Sequence, residues 1–522
     1  MKCYEGTILS VDANDGEYRY LVEDKGQILY VGNELPSEYK TSEIIDLAGK
    51  AIVPAFIDTH QHFASLSTFN AGLNVMEAES NEDIARMIGE YATQTKDRTI
   101  IAFGASPHSV KEERLINRKE IDAVCQGKEV MVVKYDGHAC IVSTPLLKKL
   151  DKKLSKLRGY HPDTGEMNQE AFFACSDYIS GSLSIPDLFR NMQNCTDYLA
   201  SKGIGSIHTV SGVGFIANLD ITIEKLFAKS LRNGFQIRVF PQALNTMVAT
   251  SRRIPRIGGC FECALDGCFG SHDAAMNEPY TDAEGGEGIL YYSDEKVIEF
   301  CKKANRLGLQ IELHAIGDKA FNQATRALKA ALEDYPRKDH RHGIIHDYLP
   351  TADGIAICKQ YGIQMPVQSA FIGWKQEPDS YLEEILGVER TSRLNPIKTF
   401  ADNDIIVSFG SDAPCTDPDP IQWIHRAVNH SNPDERITVQ QALRMATYNG
   451  AYVTFDEKER GSLEAGKVAD MVILSDNPYE VGPENLKDIK VEKLILSGKP
   501  YESAVTPLGK CIWRGLFSKH RY

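Results

Sequence analysis

The sequence contains no run of apolar residues that approaches the roughly 18 needed for a membrane-spanning helix. Its first residues, MKCYEGTILSVD, contain no apolar segment of the kind found in secretory signal peptides. Basic residues are in the minority, since 58 lysines and arginines face 72 aspartates and glutamates, for a formal net charge of −14. Nucleic-acid binding requires clustered lysine and arginine. We therefore expect a cytoplasmic protein that binds neither membranes nor nucleic acid.

Motifs for nucleotide binding and for a serine nucleophile are missing as well. Neither GxxxxGK[ST] nor a strand-anchored GxGxxG occurs, and no GxSxG turn is present. The 12 cysteines are scattered along the chain, which is typical of reduced thiols rather than of a disulfide framework. The segment CFECALDGC, residues 260–268, contains one CxxC, but no second CxxC completes a four-cysteine zinc site. A thiol metal site or redox pair in this segment is a minor alternative.

What the sequence does contain is a β-rich segment at each end of a long body in which strands alternate with helices. Such alternation is typical of βα units around a parallel sheet. We predict an α/β protein with a TIM-like (β/α)8 barrel and a small β-sandwich domain formed from both termini. The predicted boundaries are 1–56 together with 450–505 for the sandwich, 57–449 for the barrel and 506–522 for a C-terminal extension.

Eight strands can be counted in the body, which is the number that a (β/α)8 barrel needs. A further stretch, from about 70 to 200, is predicted to be an insertion after the first strand that acts as a lid and specificity region. The eight predicted strands are Ala51–Ile57, Ile204–Thr209, Gln236–Phe240, Phe261–Leu265, Gln310–His314, Gly343–His346, Ile363–Val367 and Ile405–Gly410.

Histidines and carboxylates stand where these strands end. In VPAFIDTHQHF, His60 and His62 are two residues apart, so their side chains point to the same side of a strand. Barrel enzymes carry their catalytic groups at the C-terminal ends of the strands. Imidazole and carboxylate are the usual ligands of zinc and similar divalent ions, so the whole set predicts a metal site. The remaining members of the set are Glu262, His314, His346 and Asp412.

Several segments resemble the motifs of the amidohydrolase superfamily. They are PAFIDTHQH, YDGHA, HAIGDKA, GSDAP and GSLEAGKVADMVIL. The match is to the family 3 branch of these metal-dependent hydrolases, which includes N-substituted formamide deformylases, and it extends from about residue 5 to 500. The resemblance implies a TIM-like barrel, a small β-sandwich, and one or two divalent metal ions, with zinc as the expected ion.

The resemblance also implies which residues bind metal. The implied ligands are His60, His62 and Asp412 for one ion, and His314 and His346 for the other. Many relatives bridge the two ions with a carboxylated lysine on strand 4, where this sequence has Glu262. We expect Glu262 to be the bridging ligand, and a carboxylated Lys134 is the alternative.

The implied reaction is hydrolysis of a non-peptide C–N bond in a small amide, formamide or cyclic amide. A metal ion lowers the pKa of water, so that a metal-activated hydroxide can attack the carbonyl carbon. Asp412 is expected to act as general base and then as general acid towards the leaving nitrogen. His138, in YDGHA, is expected to donate a hydrogen bond to the oxyanion.

Two other functions stay open. The first is a mononuclear heterocycle deaminase, although HAIGDKAFNQATRA lacks the helix-borne His-x-x-Glu usual in the deaminases of the superfamily. The second is a non-catalytic metal-binding regulator, because some relatives have been described as regulators of exoenzyme production. The partner expected for the enzyme is a small-molecule substrate, and the sequence leaves a homodimer open.

Overall fold

The computed structural model describes residues 1–70, 72–182, 184–212, 218–282, 285–518 and 522. The strands of this part of the chain are β1 (Lys2–Leu9), β2 (Glu17–Asp24), β3 (Gln27–Gly32), β4 (Glu43–Pro54), β5 (Phe56–Gln61), β6 (Leu73–Asn74), β7 (Thr99–Ala105), β8 (Glu129–Lys134), β9 (Ala139–Val142), β10 (Tyr160–His161), β11 (Glu166–Asn168), β12 (Ile204–Ser211), β13 (Gln236–Pro241), β14 (Arg256–Ala264), β15 (Gln310–Ala315), β16 (Gly343–His346), β17 (Met365–Val367), β18 (Val407–Phe409), β19 (Met471–Leu474), β20 (Val491–Leu496) and β21 (Lys499–Pro500).

Helices alternate with these strands through most of the chain, so the prediction of an α/β protein is confirmed. The α-helices are α1 (Phe63–Phe69), α2 (Asn81–Gln94), α3 (Arg118–Val124), α4 (Thr144–Leu154), α5 (Gln169–Ser182), α6 (Ile185–Ser201), α7 (Leu219–Ser230), α8 (Met247–Ser251), α9 (Asp294–Arg306), α10 (Asp318–Asp334), α11 (Ala352–Tyr361), α12 (Asp379–Leu386), α13 (Val388–Thr391), α14 (Ile397–Asp402), α15 (Pro420–Val428), α16 (Val439–Met445), α17 (Tyr448–Val453) and α18 (Leu508–Phe517). Among the described residues, no helix is both long enough and apolar enough to cross a membrane.

A seven-stranded sheet joins the two ends of the chain. Its strand order is β21-β20-β19-β4-β1-β2-β3. β4 is the link, because it pairs in parallel with β1 and antiparallel with β19. Apolar side chains such as Tyr4, Ile8, Leu21 and Ile52 form a separate core cluster beneath this sheet.

Eight strands, β5 and β12 to β18, occupy the middle of the chain. They pair in parallel as β5-β12-β13, as β14-β15-β16 and as β17-β18. Their number agrees with the sequence analysis, but two strands differ from their predicted bounds by more than two residues. The first strand is Phe56–Gln61 rather than Ala51–Ile57, because residues 51–54 belong to β4. The fourth begins at Arg256, five residues before the predicted start.

The first residues of β14 were not predicted as strand because Gly258 and Gly259 lie among them, and glycine has a low strand propensity. Gly258 lies so close to β15 that an added Cβ would stand 1.9 Å from the carbonyl oxygen of Glu312. Gly258 and Gly259 also have positive φ angles, of 125° and 120°. The close approach of the two strands therefore requires glycine at this point of β14.

The segment between β5 and β12 carries a sheet of its own, with strand order β10-β11-β9-β8-β7-β6. Alternate residues of β8 point to opposite faces: Val130 and Val132 join one core cluster, and Met131 and Val133 join another. The runs TIIAFG and EVMVVKYDGHA predict two of these strands, β7 and β8. The other four strands have only two to four residues each, which is too short for a period to show.

This insertion lies against the loops that follow β14 and β17. Lys134 Nζ donates a hydrogen bond to Gly270 O at 3.2 Å, and Tyr135 Oη donates one to Glu377 Oε1 at 2.8 Å. At another point, Gln376 Nε2 donates to Met76 O at 3.1 Å. These contacts place the insertion at the carboxyl ends of the central strands.

The C-terminal helix α18 packs against α7. Cys511 Sγ lies 2.9 Å from Ser230 Oγ, and Gly515 faces Leu226 so closely that an added Cβ would stand 2.4 Å from its carbonyl oxygen. The carbonyl oxygen of Tyr522 accepts a hydrogen bond from Arg256 at 2.9 Å. The end of the chain is thus attached to the central strands at the end away from the insertion, since Arg256 begins β14.

Candidate metal centre

Five of the six predicted ligands meet at the carboxyl ends of four strands. Asp412 Oδ1 lies 3.2 Å from both His60 Nε2 and His62 Nε2. The ring centroids of His60 and His346 are 5.4 Å apart, and those of His314 and His346 are 4.5 Å apart. All five side chains are buried except that of His62, which is partly buried.

Cys260 of β14 contributes a sixth group that the sequence analysis did not assign. Its Sγ lies 3.5 Å from His60 Nε2 and 3.6 Å from His346 Nε2, and the side chain is buried. Three overlapping sets of potential ligand atoms result, each with all atoms within 4.8 Å of one another. Among the described residues these sets are His60–His62–Cys260, Cys260–His314–His346 and His60–His346–Asp412. The thiol therefore lies between the two histidine pairs.

Glu262, the predicted bridge, is not brought to this cluster. Its side chain is exposed, and its Oε2 accepts a hydrogen bond from the backbone N–H of Leu244 at 3.2 Å. The pairing of β14 with β15 shifts register between Gly259 and Ala264, and Phe261 has a φ angle of 49°. Such a bulge breaks the alternation of side chains along a strand. As a result, Cys260 faces the cluster and Glu262, two residues later, faces away.

Lys134, the alternative bridge, is engaged elsewhere. Its Nζ lies 2.9 Å from Asp136 Oδ2 in the loop after β8. Burial by itself would lower the pKa of Lys134, but the carboxylate of Asp136 outweighs it and holds the pKa above the ordinary value. Carboxylation requires a neutral amine, so this ammonium is in the wrong form for that reaction.

Asp58 connects the end of β5 to the residues after β18. Its carboxylate accepts hydrogen bonds from the N–H of His60 at 3.2 Å, and from the N–H and hydroxyl of Ser411 at 2.9 and 2.6 Å. The N–H of Asp412 donates in turn to His60 O at 2.8 Å. These hydrogen bonds hold the backbones of His60 and Asp412 next to each other, and they do so independently of any ligand that the two side chains bind.

His346 and His314 are each oriented by a second hydrogen bond. His346 Nδ1 lies 2.6 Å from Oε1 of Gln368, whose Nε2 donates to Pro366 O at 3.1 Å. Oε1 is therefore the acceptor, and His346 Nε2 keeps its lone pair. His314 Nε2 lies 3.4 Å from Gly267 O, which leaves its Nδ1 as the free nitrogen. Burial lowers the pKa of both rings, to about 4 for His346, so both are neutral at physiological pH.

The cluster contains buried polar atoms that the described residues leave unsatisfied. His60 Nδ1, His314 Nδ1 and Asp412 Oδ1 form no hydrogen bond of acceptable geometry within the described part of the chain. Burial would raise the pKa of Asp412, but His60 and His62 hold it well below its ordinary value. Neutral imidazoles, a thiol and an ionised carboxylate in one buried group are a donor set that fits a divalent ion of the zinc type.

A cavity of about 1550 Å³ leads outwards from the cluster. Its wall includes His138, whose ring lies 6.5 Å from that of Phe261, which in turn lies 5.4 Å from that of His62. The predicted oxyanion donor is therefore in the same cavity as the histidine cluster. The other lining residues that matter below are Arg114, Lys134, Asp136, Arg158, Glu262, Asp273, Tyr348, Phe371, Trp374 and Glu377.

Comparisons with known proteins point to one family. The sequence profile of the amidohydrolase family matches residues 43–501. YtcJ of Bacillus subtilis (strain 168) is 22% identical over 494 residues, covering 88% of this chain and 90% of that protein. N-substituted formamide deformylase of Arthrobacter pascens is 22% identical over 543 residues, covering 94% of this chain and 96% of that protein. The resemblance drawn from the sequence motifs is confirmed.

A solved structure extends the likeness to the fold. An uncharacterised metal-dependent hydrolase from Pyrococcus furiosus superposes with a TM-score of 0.72 at 25% sequence identity. The match covers 92% of this chain and 100% of that chain. The central strands and the terminal sheet thus belong to an architecture found in metal-dependent hydrolases.

Proposed function

The chain belongs to the amidohydrolase family, and from this premise we propose that it hydrolyses a non-peptide C–N bond in a small amide, formamide or cyclic amide. The observation that supports the proposal is the buried cluster of four histidines, one thiol and one carboxylate at the base of a large cavity. A cluster of this composition is suited to a divalent ion, and the cavity is large enough for a small-molecule substrate.

We propose that the eight central strands close into one (β/α)8 barrel. Hydrogen bonds across the three remaining junctions support closure. Thr59 Oγ1 of β5 donates to Phe409 O of β18, the N–H of Cys260 donates to Gln242 Oε1 after β13, and the N–H of Ile344 in β16 donates to Gln364 O. The terminal sheet is the small domain, with the boundaries 1–56 and 450–505 proposed from the sequence.

His60 and His62 would hold one zinc ion together with Asp412, and His314 and His346 would hold a second. Cys260, whose thiol belongs to a ligand set with each histidine pair, would take the role that the sequence analysis gave to Glu262. The thiol favours zinc over magnesium or calcium, because the latter prefer oxygen ligands. When bound, the ions supply Lewis acidity towards the substrate carbonyl and lower the pKa of water.

Asp412 and His138 are the residues that we assign to the chemistry itself. The low pKa of Asp412 keeps it ionised, so that one carboxylate oxygen can accept the proton of the attacking water. The same carboxyl then passes that proton to the leaving nitrogen, and the carboxylate is restored. His138 would donate a hydrogen bond to the carbonyl oxygen as negative charge develops on it.

The test is hydrolysis of a panel of N-substituted formamides, acetamides and cyclic amides by zinc-loaded protein. We expect turnover that chelation abolishes and zinc restores. Asp412→Asn should lower kcat by at least about a hundredfold on any substrate that is found, while elemental analysis still detects zinc. Zinc-loaded protein that cleaves no member of the panel, or an Asp412→Asn variant of undiminished kcat, would overturn the proposal.

A further inference from the structure

A row of aromatic rings runs along the cavity wall, starting beside the histidine cluster. The centroids of His346 and Tyr348 are 5.9 Å apart, those of Tyr348 and Phe371 5.5 Å, and those of Phe371 and Trp374 4.6 Å. The row ends at Tyr135 of the insertion, 5.1 Å from Trp374. Such a wall offers a planar ring both stacked and edge-on contacts.

Two carboxylates, Glu377 and Asp273, line the same cavity. Glu377 is buried, and its Oε1 accepts the hydrogen bond from Tyr135 Oη. Asp273 accepts hydrogen bonds from Tyr291 Oη at 2.7 Å and from the N–H of Cys268 at 2.9 Å. Among the described residues, neither carboxylate has a basic side chain within ion-pair distance.

The cations that line the cavity are already paired. Lys134 is bound to Asp136, as described above. Arg114 lies 2.7 Å from Glu120, and Arg158 lies 3.0 Å from Glu170. Within the described lining, therefore, no cationic side chain lacks a carboxylate partner, while Glu262, Asp273 and Glu377 lack a cationic one.

We propose that this cavity selects planar aromatic amides that are uncharged or positively charged, and that it excludes analogues carrying a carboxylate. The inference rests on the proposed hydrolysis of a C–N bond and specifies its substrate class. A carboxylate at the end of the ring remote from the metal ions would meet Glu377 and Asp273 in a site of low dielectric, without an unpaired cationic side chain to receive it, whereas an ammonium group there would meet two acceptors.

Binding can be measured separately from hydrolysis with ketones that contain no C–N bond to cleave at the carbonyl. The probes are 4′-methylacetophenone, 4′-(aminomethyl)acetophenone and 4-acetylbenzoate, which share one shape and differ in charge. We expect the first two to bind zinc-loaded, full-length protein at least tenfold more tightly than the carboxylate, by isothermal titration calorimetry. Equal or tighter binding of 4-acetylbenzoate would overturn the inference.

Matched variants test the residues that carry the inference. The quantity compared is the Kd of the carboxylate probe divided by the Kd of the aminomethyl probe. Glu377→Gln should lower this ratio at least threefold, and Asp273→Asn should lower it as well. Glu383→Gln removes the same charge from an exposed position on α12 and should leave the ratio unchanged. A ratio that neither pocket variant alters would contradict the role of these carboxylates, provided that thermal unfolding finds both variants folded.

The corresponding 4-substituted formanilides separate this inference from the proposed function. If the ketones bind in the expected order but no formanilide or other amide is cleaved, the charge preference stands and the hydrolysis proposal fails. If 4-formamidobenzoate is cleaved faster than its methyl and aminomethyl analogues, the hydrolysis proposal stands and the charge preference fails.

Discussion

Cys260 Sγ lies 3.5 Å from His60 Nε2, in a buried cluster that the exposed side chain of Glu262 does not join. A thiolate can bind two zinc ions at once, whereas a serine hydroxyl is a poor zinc ligand. We therefore expect Cys260→Ser to reduce the zinc content from near two ions per chain to one or fewer, as measured by elemental analysis of protein loaded with zinc and then desalted.

Two control variants make this result specific. Cys263→Ser removes another buried thiol of β14 that belongs to none of the ligand sets, and it should keep the zinc content of the native protein. Glu262→Ala should also keep it, because that side chain is exposed and bonded to Leu244. Loss of zinc in Glu262→Ala without loss in Cys260→Ser would restore Glu262 as the bridge.

Zinc binding should not depend on carbon dioxide. A carboxylated lysine forms only in the presence of carbon dioxide or bicarbonate, and Lys134 is held as an ammonium by Asp136. Apo-protein should therefore recover the same zinc content and the same activity in degassed buffer and in buffer with bicarbonate. A requirement for bicarbonate would reveal a carboxylated lysine in the site.

Gln368 should influence metal affinity without contacting the metal, because it orients His346 through a hydrogen bond of 2.6 Å. Outer partners of this kind contribute about 10- to 100-fold in metal affinity. We expect Gln368→Leu to weaken zinc binding by about that factor in a chelator competition assay, and Gln368→Glu, which keeps the acceptor, to weaken it less. Gln364→Leu, a buried glutamine outside the ligand sets, should leave the affinity unchanged.

The sequence predicted the ligands that stand at the carboxyl ends of the predicted strands. His60, His314 and His346 lie in the last residues of β5, β15 and β16, so counting strands was enough to bring them together. Cys260 could not be found in this way, because the side it faces depends on the left-handed φ angle of Phe261 and on the bulge in β14. Side chains alternate between the two faces of a strand only where no bulge interrupts it.

The aromatic row and the position of Glu377 could not be predicted from the sequence either. Tyr135 lies in the insertion, and Trp374 and Glu377 lie in the loop after β17, more than 200 residues further along the chain. Nothing local in either segment indicates the other. Long-range contacts between loops depend on how the whole insertion docks, which no periodicity encodes.

Glu224 provides a prediction about stability and pH. It is fully buried on α7, where its Oε2 accepts hydrogen bonds from Thr209 and Ser211 at 3.0 and 2.5 Å and its Oε1 has no partner among the described residues. Asp220 on the same helix and the thiol of Cys195 on α6 are its titratable neighbours. Burial raises the pKa of Glu224 to about 8, and the carboxylate of Asp220 adds to the effect.

A carboxyl whose pKa is raised on folding stabilises the folded state below the pKa of the unfolded chain, and this stabilisation is lost as pH rises through the folded pKa. The loss for Glu224 should therefore take place between about pH 4.5 and pH 8. Each pKa unit corresponds to about 1.4 kcal/mol, which gives an upper limit of roughly 4 to 5 kcal/mol.

Glu224→Gln removes this titration, so its free energy of unfolding should fall less between pH 5 and pH 9 than that of the native protein. The comparison uses the change with pH because an amide at this position also leaves a donor unsatisfied, a cost that is the same at every pH. Denaturant titrations at the two pH values measure it, with the exposed Glu299→Gln as the control. An identical pH dependence in native protein and Glu224→Gln would mean that Glu224 is already ionised in the folded state at pH 5.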